Sequence, residues 1–292
     1  MRISHNISAM NTYRQYNTNT VNTNKSMEKL SSGFRINRAA DDAAGLSISE
    51  KMRSQIRGLT QATRNAQDGV SFIQTAEGAL NEVSDMLTRI KELAVQVQNG
   101  TYSDDDKANI GAEMQALGKA IGEIYVNTKF NGTAVFGNRA VTANGVLSAT
   151  DALDAATIWY GEDGGQSVTI AAAAVAELNT LTTATAAVAA AGTTALKADA
   201  AEAVIVDDVE AAITEVNTTR ANYGALQNQL EHASNNMATT KENLQAAESR
   251  VRDVDMAEEM MAYTKNNILL QAAQAMLAQA NAQPQGVLQL LQ

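Results

Sequence analysis

The chain has 292 residues, of which 45% are hydrophobic but only 4% aromatic, and its formal net charge is −10. Alanine is the most abundant apolar residue, so the composition argues against a thick globular core and favours long, thin helices. The sequence has no cysteine, which excludes disulfides, thiolate metal sites and cysteine nucleophiles.

The charge is unevenly distributed, because residues 1–64 are basic and residues 65–292 are acidic. The basic residues are spaced singly, without aromatic residues between them, so the pattern favours protein partners and predicts no nucleic-acid binding. No stretch approaches the roughly 18 apolar residues of a membrane span, which predicts no membrane insertion. The first residues lack the apolar run of a cleavable signal peptide.

Residues 1–30 carry apolar side chains at helical spacing at Ile3, Ile7 and Met10, followed by many Asn and Thr residues. Asn and Thr compete for backbone hydrogen bonds, so this helix is predicted to be marginal until other helices support it. We expect it to be disordered in the free monomer.

Residues 43–98 show a heptad pattern typical of a long packed helix. Its apolar positions, in steps of three, four or seven, are Met52, Ile56, Leu59, Ala66, Val70, Ile73, Leu80, Val83, Leu87, Ile90 and Ala94. A further helix is predicted from about Asp105 to Asn127. It should pack back on the long helix as a helical hairpin.

Two β-hairpins are predicted after that helix. Asn131-Gly132 is a strong two-residue turn signal between β-compatible residues. A second hairpin is predicted over 158–170, with its turn near Asp163-Gly164. The surrounding segment, 140–200, is rich in Ala and Thr and is interpreted as a short variable insertion.

The last long helix is predicted to begin near Ala201 and to keep heptad spacing to Val254. Beyond Asp255 the register blurs into a Met-rich face, which suits changing partners. The predicted fold class is mainly α: an elongated long-helix bundle or coiled coil with small β-hairpins.

Several motifs occur together near the two ends of the chain. Segment 30–46 reads LSSGFRINRAADDAAGL, RIKELAVQ begins at Arg89, and NNIL begins at Asn266. In this order and at these separations, they make the chain resemble bacterial flagellin. The resemblance implies a paired terminal domain, a rod domain and an insertion, divided as 1–42, 43–139, 140–200, 201–255 and 256–292.

The resemblance implies that the chain is a structural subunit that polymerises with itself into the extracellular flagellar filament. It also implies unfolded export through the flagellar type III apparatus. An export chaperone, the filament cap and hook–filament junction proteins are the implied partners. The residues implied in polymerisation or chaperone binding are Ile3, Ile7, Met10, Ile268, Leu269, Met276, Leu277, Leu288 and Leu291.

In flagellins recognised by Toll-like receptor 5, an Arg and a Leu on one helix and a Glu on the next form the contact. Arg89, Leu93 and Glu113 match that pattern. The four-residue spacing predicts one shared face for Arg89 and Leu93, with Glu113 alongside on the returning helix. The alternative is a surface ion pair that only stabilises the helix pair.

Arg35, Arg38, Asp41 and Asp42 lie in the segment between the first two helices and are predicted to form a connector. Their charges could pair between subunits. They could equally belong to a capped turn within the chain, and the two interpretations are compatible.

No catalytic or metal-binding pattern is present in the sequence. The two histidines, His5 and His232, are isolated, and the acidic clusters lack the spacing of a calcium loop. We therefore expect no cofactor, no metal and no enzymatic activity. Two alternative functions stay open: a hook–filament junction protein, and a soluble coiled-coil module whose terminal helices are stable in the monomer.

Overall fold

The computed structural model describes residues 6–99, 101–136, 156–159, 166–170 and 199–290. The chain is mainly helical. The helices are α1 (Ile7–Ser32), α2 (Ala43–Val97), α3 (Asp104–Asn127), α4 (Asp199–Arg252) and α5 (Met256–Leu290). The strands are β1 (Lys129–Phe130), β2 (Thr133–Ala134), β3 (Ala156–Trp159) and β4 (Ser167–Ile170). The predicted mainly α class with two small hairpins is confirmed.

The chain divides into two compact units. The terminal unit comprises Met1–Arg57 and Lys241–Gln292, and the central unit comprises Gly58–Thr240. The sequence division at 42 and 255 differs from these limits. The start of α2 and the end of α4 belong to the terminal unit. The reason is that the segment between α1 and α2 is hydrogen-bonded to the segment between α4 and α5, as described below.

The central unit is built on the heptad positions of its long helices. Leu80, Val83, Leu87 and Ile90 of α2 are fully buried, which confirms their predicted place in the core. In α4 the buried side chains repeat in steps of three, four and seven, at Val209, Ala212, Val216, Thr219, Tyr223, Leu230 and Met237. This periodicity is that of helices packed along a continuous seam.

A capping box starts α3. The Ser103 hydroxyl accepts a hydrogen bond from the Asp106 backbone N–H at 3.3 Å, and the Asp106 carboxylate accepts one from the Ser103 N–H at 3.2 Å. The Ser103 hydroxyl also donates to that carboxylate, which holds the pKa of Asp106 below its ordinary value. Three aspartates in the first turn complement the helix dipole.

The first predicted hairpin has the expected turn. Asn131 and Gly132 both have positive φ, at 49° and 82°, as a type I′ turn requires. Strands β1 and β2 pair antiparallel around it, and Phe130 packs edge-on against Phe72 of α2 with ring centroids 5.7 Å apart. Strands β3 and β4 also pair antiparallel. Their predicted turn at Asp163-Gly164 lies outside the described residues.

Replacing Leu87 with Ala should destabilise the central unit by about 2–5 kcal/mol, because the side chain is fully buried and its loss leaves a cavity. Val95→Ala on the same helix is the control, since that side chain is 53% exposed and its truncation should cost less than about 0.5 kcal/mol. Denaturant unfolding followed by circular dichroism measures both. Equal losses would contradict the assignment of this seam.

Candidate self-assembly surface

Helices α1 and α5 pack against each other in antiparallel orientation. At one end the Asn6 side-chain amide donates to the Ala280 carbonyl at 2.8 Å. At the other end Lys29 Nζ lies 3.8 Å from Glu259 Oε2. Between these two contacts the residue numbers rise along α1 and fall along α5, as an antiparallel pair requires.

Most large apolar side chains of α1 are exposed and do not pack against α5, although Tyr16 and Leu30 are half-buried. Ile7 is 62% exposed and Met10 is 67% exposed, whereas the buried residue of this helix is Ser26. Half-buried threonines occupy other positions near Ser26 on the helix, and their hydroxyls donate to carbonyls one turn earlier, as Thr20 does to Tyr16 at 2.9 Å. These internal bonds satisfy the hydroxyls, so they can lie against α5 without a polar partner there.

Helix α5 carries apolar side chains on two sides. One side faces α1 and comprises Leu270, Ala273, Leu277 and Ala280, which are half-buried or buried. The other side, about 130° away around the helix at 3.6 residues per turn, is exposed and comprises Met261, Ile268, Ala272, Ala275 and Met276. We call this second set the outer stripe of α5. The first set repeats in steps of three and four, and the outer stripe in steps of three, four and seven apart from the adjacent pair Ala275 and Met276, so each has the pattern of a packing face.

Exposed large apolar side chains concentrate on these two helices. Among the described residues, only Ile48, Val95 and Trp159 are exposed large apolar side chains elsewhere in the chain. Those on α1 and α5 are Ile7, Met10, Tyr13, Val21, Met27, Met256, Met260, Met261, Ile268, Leu269 and Met276. An exposed apolar surface of this extent is typical of an interaction face.

The implied polymerisation residues fall in three places. Ile7, Met10, Ile268, Leu269 and Met276 are exposed, whereas Leu277 is half-buried on the side facing α1. Ile3 and Leu291 lie outside the described residues. Leu288 lies within α5, but its side chain is also outside the described set.

The connector between α1 and α2 is tied to the short segment between α4 and α5. Phe34 and Asp253 form an antiparallel β-bridge. The Arg35 N–H donates to the Arg252 carbonyl at 2.7 Å, and the Val254 N–H donates to the Gly33 carbonyl at 3.1 Å. Four helix ends of the terminal unit are thereby held together by backbone hydrogen bonds.

All four predicted connector charges bond within the chain. Arg38 makes a two-pronged contact with Glu28 at 2.9 and 3.1 Å, and the Arg35 guanidinium donates to the Val251 carbonyl at 2.8 Å. Asp42 caps α2 by accepting from the Gly45 N–H at 2.9 Å. These bonds match the capped turn within the chain.

Asp41 closes the turn by accepting from two backbone N–H groups. The hydrogen bond from the Arg38 N–H, with a second from Asn37, holds the pKa of the Asp41 carboxyl below its ordinary value. Gly45 is required beside this turn because a Cβ there would overlap the Asp42 carboxylate and lie 2.8 Å from Ile36 Cδ1. Ile36 is itself buried and anchors the connector.

Arg252 is the connector residue that the sequence analysis missed. Its Nη1 donates to Glu50 Oε1 at 2.8 Å, and its guanidinium carbon lies 4.7 Å from the centroid of the Phe34 ring. The side chain is 12% exposed. An arginine in the last turn of a helix ordinarily indicates only a dipole contact, so no sequence pattern predicted its contacts with Glu50 and Phe34.

Arg89 and Glu113 are brought together as predicted, with Arg89 Nη2 3.1 Å from Glu113 Oε1. Arg89 also contacts Glu92 at 3.0 Å. Leu93, however, is only 2% exposed. Its side chain is buried beside the seam position Ala94, so it does not lie on the surface that carries the ion pair.

The described residues contain no group of three or more His, Asp or Glu side chains placed to hold a metal ion. Within the same part of the chain, no helix combines the length and hydropathy that a membrane crossing needs.

Comparison with known proteins gives matches at both ends of the chain. The model of the bacterial flagellin N-terminal helical region matches residues 3–141, and that of the C-terminal helical region matches residues 206–291. The flagellin of Halalkalibacterium halodurans is 48% identical over 291 residues, and that of Bacillus subtilis is 48% identical over 307 residues. Each alignment covers 100% of both chains.

Among solved structures, a Vibrio parahaemolyticus protein assigned to the flagellar hook-associated class has a TM-score of 0.62 with 14% identity. The match covers 73% of this chain and 100% of that one. At this identity the likeness concerns the fold alone.

Replacing Arg252 with Gln should raise the pKa of Glu50 toward its ordinary value, because the hydrogen bond from Arg252 is the main cause of its lowering. The folded pKa lies below the unfolded one, so the ion pair stabilises the fold above the unfolded pKa and this contribution is lost as the pH falls through the folded pKa. Carboxyl titration by NMR measures the shift. Arg53→Gln, which removes the longer 3.3 Å contact with Glu50, is the control. A Glu50 pKa unchanged by Arg252→Gln would contradict the account.

Proposed function

Because the chain belongs to the bacterial flagellin family and is a structural subunit of the flagellar filament, we propose that it polymerises through the outward faces of α1 and α5. Neighbouring copies would cover these faces with their own terminal helices. The observation that carries the proposal is the concentration of exposed large apolar side chains on these two helices. Burying such surface is favourable by about 25 cal/mol per Å².

The geometry favours an open polymer over a closed dimer. The exposed face of α1 and the outer stripe of α5 are different surfaces with different residues. A contact between two different surfaces is heterologous, and repeating it generates a helical filament when the rotation does not close. The filament is an extracellular appendage, and the role of the chain in it is mechanical, without enzymatic activity.

Assembly and folding of the terminal helices are proposed to be coupled. Helix α1 is rich in Asn and Thr, buries little apolar surface and exposes Ile7 and Met10, so it gains much of its stabilisation from neighbouring copies. A chain with such ends suits unfolded export by the flagellar type III apparatus. The export chaperone is proposed to cover α5, and the cap and junction proteins to meet the same terminal helices at the filament ends.

The two alternatives predict other surfaces. A soluble coiled-coil module would bury the large apolar side chains of its terminal helices within the monomer, whereas here Ile7, Met10 and Ile268 are exposed. A hook–filament junction protein would share the terminal helices. The full-length identity of 48% is to flagellins, which supports the filament subunit.

We further propose that Arg89 and Glu113 contribute to recognition by Toll-like receptor 5. Their mutual ion pair is half exposed and joins α2 to α3 on the surface. With Leu93 buried, the contact would depend on this polar pair.

Ile268→Glu should abolish seeded filament elongation. A carboxylate on the outer stripe would be buried without a partner on assembly, which costs several kcal/mol and lowers addition about 100-fold or more. Elongation of short filament seeds, followed by light scattering and electron microscopy, is the measurement. Gln271→Glu introduces the same charge at an exposed polar position of α5 and should elongate much better. Unimpaired elongation by Ile268→Glu would contradict the assignment of this stripe.

Arg89→Ala should weaken binding to the purified receptor ectodomain by about tenfold, the usual effect of losing one charged contact of about 1.4 kcal/mol. Lys91→Ala, which removes the neighbouring ion pair with Glu210, is the control. Surface plasmon resonance compares the two variants. Binding that is unaffected by Arg89→Ala would reject this receptor contact.

A further inference from the structure

We propose that the assembly surface is also a site of reversible methionine oxidation that controls polymerisation. The proposal rests on the assembly function above. The chain contains 11 methionines and no cysteine, so its thioethers are its only readily oxidised sulfur atoms. Where these sulfur atoms lie therefore determines what an oxidant does to the chain.

The exposure of the methionines differs between the two units, although Met52 of the terminal unit is half-buried. In the central unit Met114 and Met237 are buried at 2% and 6% exposure, and Met86 is half-buried. Every strongly exposed methionine of the described residues lies on α1 or α5 in the terminal unit. These are Met10, Met27, Met256, Met260, Met261 and Met276.

Two of these methionines occupy the outer stripe of α5. Met261 lies seven residues before Ile268, and Met276 lies eight residues after it, so the three side chains share one side of the helix. A neighbouring helix that runs along this stripe would therefore cover both thioethers together with Ile268. Flexible, polarizable methionine side chains adapt well to such a contact.

The chemistry is a two-electron oxygen transfer from a peroxide. A sulfur lone pair attacks one peroxide oxygen, an S–O bond forms, the O–O bond breaks and the peroxide is reduced to water. The product is methionine sulfoxide, which is polar and accepts hydrogen bonds. On the outer stripe it would be buried at assembly without a donor, and an unsatisfied buried polar group opposes the contact.

Three consequences follow from this placement. Oxidised monomers are poor at joining a filament, because their stripe has become polar. Subunits already assembled are protected, because neighbouring copies cover the sulfur atoms. The block is reversible, because methionine sulfoxide reductases specific for the two sulfoxide epimers take two electrons from a dithiol, release the sulfoxide oxygen as water and restore the thioether.

The test treats the full-length monomer with hydrogen peroxide, removes the peroxide and measures seeded elongation. Oxidation should lower the elongation rate by about tenfold or more, and incubation with both reductases and dithiothreitol as the electron donor should restore it. The double variant Met261→Leu/Met276→Leu keeps side-chain size but cannot be oxidised on the stripe. It should elongate untreated and lose much less on oxidation, whereas the buried-site control Met114→Leu should lose as much as the unmodified chain.

Peptide mass spectrometry supplies a readout that does not depend on elongation. In the monomer Met261 and Met276 should oxidise well before Met114 and Met237, and in filaments they should be protected. Full elongation by the oxidised chain, or equal loss by the double variant, would overturn the proposal. If the untreated chain fails to elongate, the assembly function itself is contradicted. If Met261 and Met276 oxidise no faster than Met114, the oxidation site is contradicted independently of assembly.

Discussion

The structure of the terminal unit depends on one constraint: α5 has two apolar sides, and α1 covers only one of them. The inner side, with Leu277 and Ala280, lies against α1, while Ile268 and Met276 remain exposed. Helix α1 cannot cover the second side within the monomer, because it already packs on the first side and most of its own large apolar side chains are exposed as well. A helix that is apolar on two sides needs a partner on each side. Since flagellins assemble with themselves, a further copy of the chain is the partner for the second side.

The central unit has the opposite character. Its long helices bury a continuous heptad seam in which Leu80, Leu87 and Ile90 are fully enclosed, so it holds its core without help from neighbours. The connector holds the segments of the terminal unit together. The Phe34–Asp253 bridge ties the α1–α2 segment to the α4–α5 segment, and the Arg252–Glu50 pair ties the end of α4 to α2. A self-sufficient core and dependent ends together suit a subunit that is carried as a monomer and completed by polymerisation.

The sequence predicted what local rules determine. The seam of α2 follows from spacing alone, and the Asn131-Gly132 turn follows from the tolerance of both residues for positive φ. The burial of Leu93 was not predicted, because heptad spacing identifies the centre of a buried stripe but not its width, which depends on how many helices pack there. The buried position of Ser26 was not predicted either, because hydropathy places small polar residues on the exposed side of a helix. Hydropathy also does not show that threonine hydroxyls on the packed side can bond to carbonyls of their own helix.

Contacts between distant segments lay beyond sequence reasoning for a different reason. Arg252 meets Glu50 across 202 positions of the chain, and no periodicity relates the two residues. The connector charges were found as a cluster, but whether they pair within the chain depends on how close the α4–α5 segment comes. That distance is a property of the fold.

Hydrogen exchange of backbone amides, compared between monomer and filament, tests the central claim most directly. The account predicts rapid exchange over α1 and α5 in the monomer, strong protection of both helices in the filament, and little change along the α2 seam. Terminal helices already protected in the monomer to the level of the seam would contradict it, because they would then be stable without a neighbouring copy.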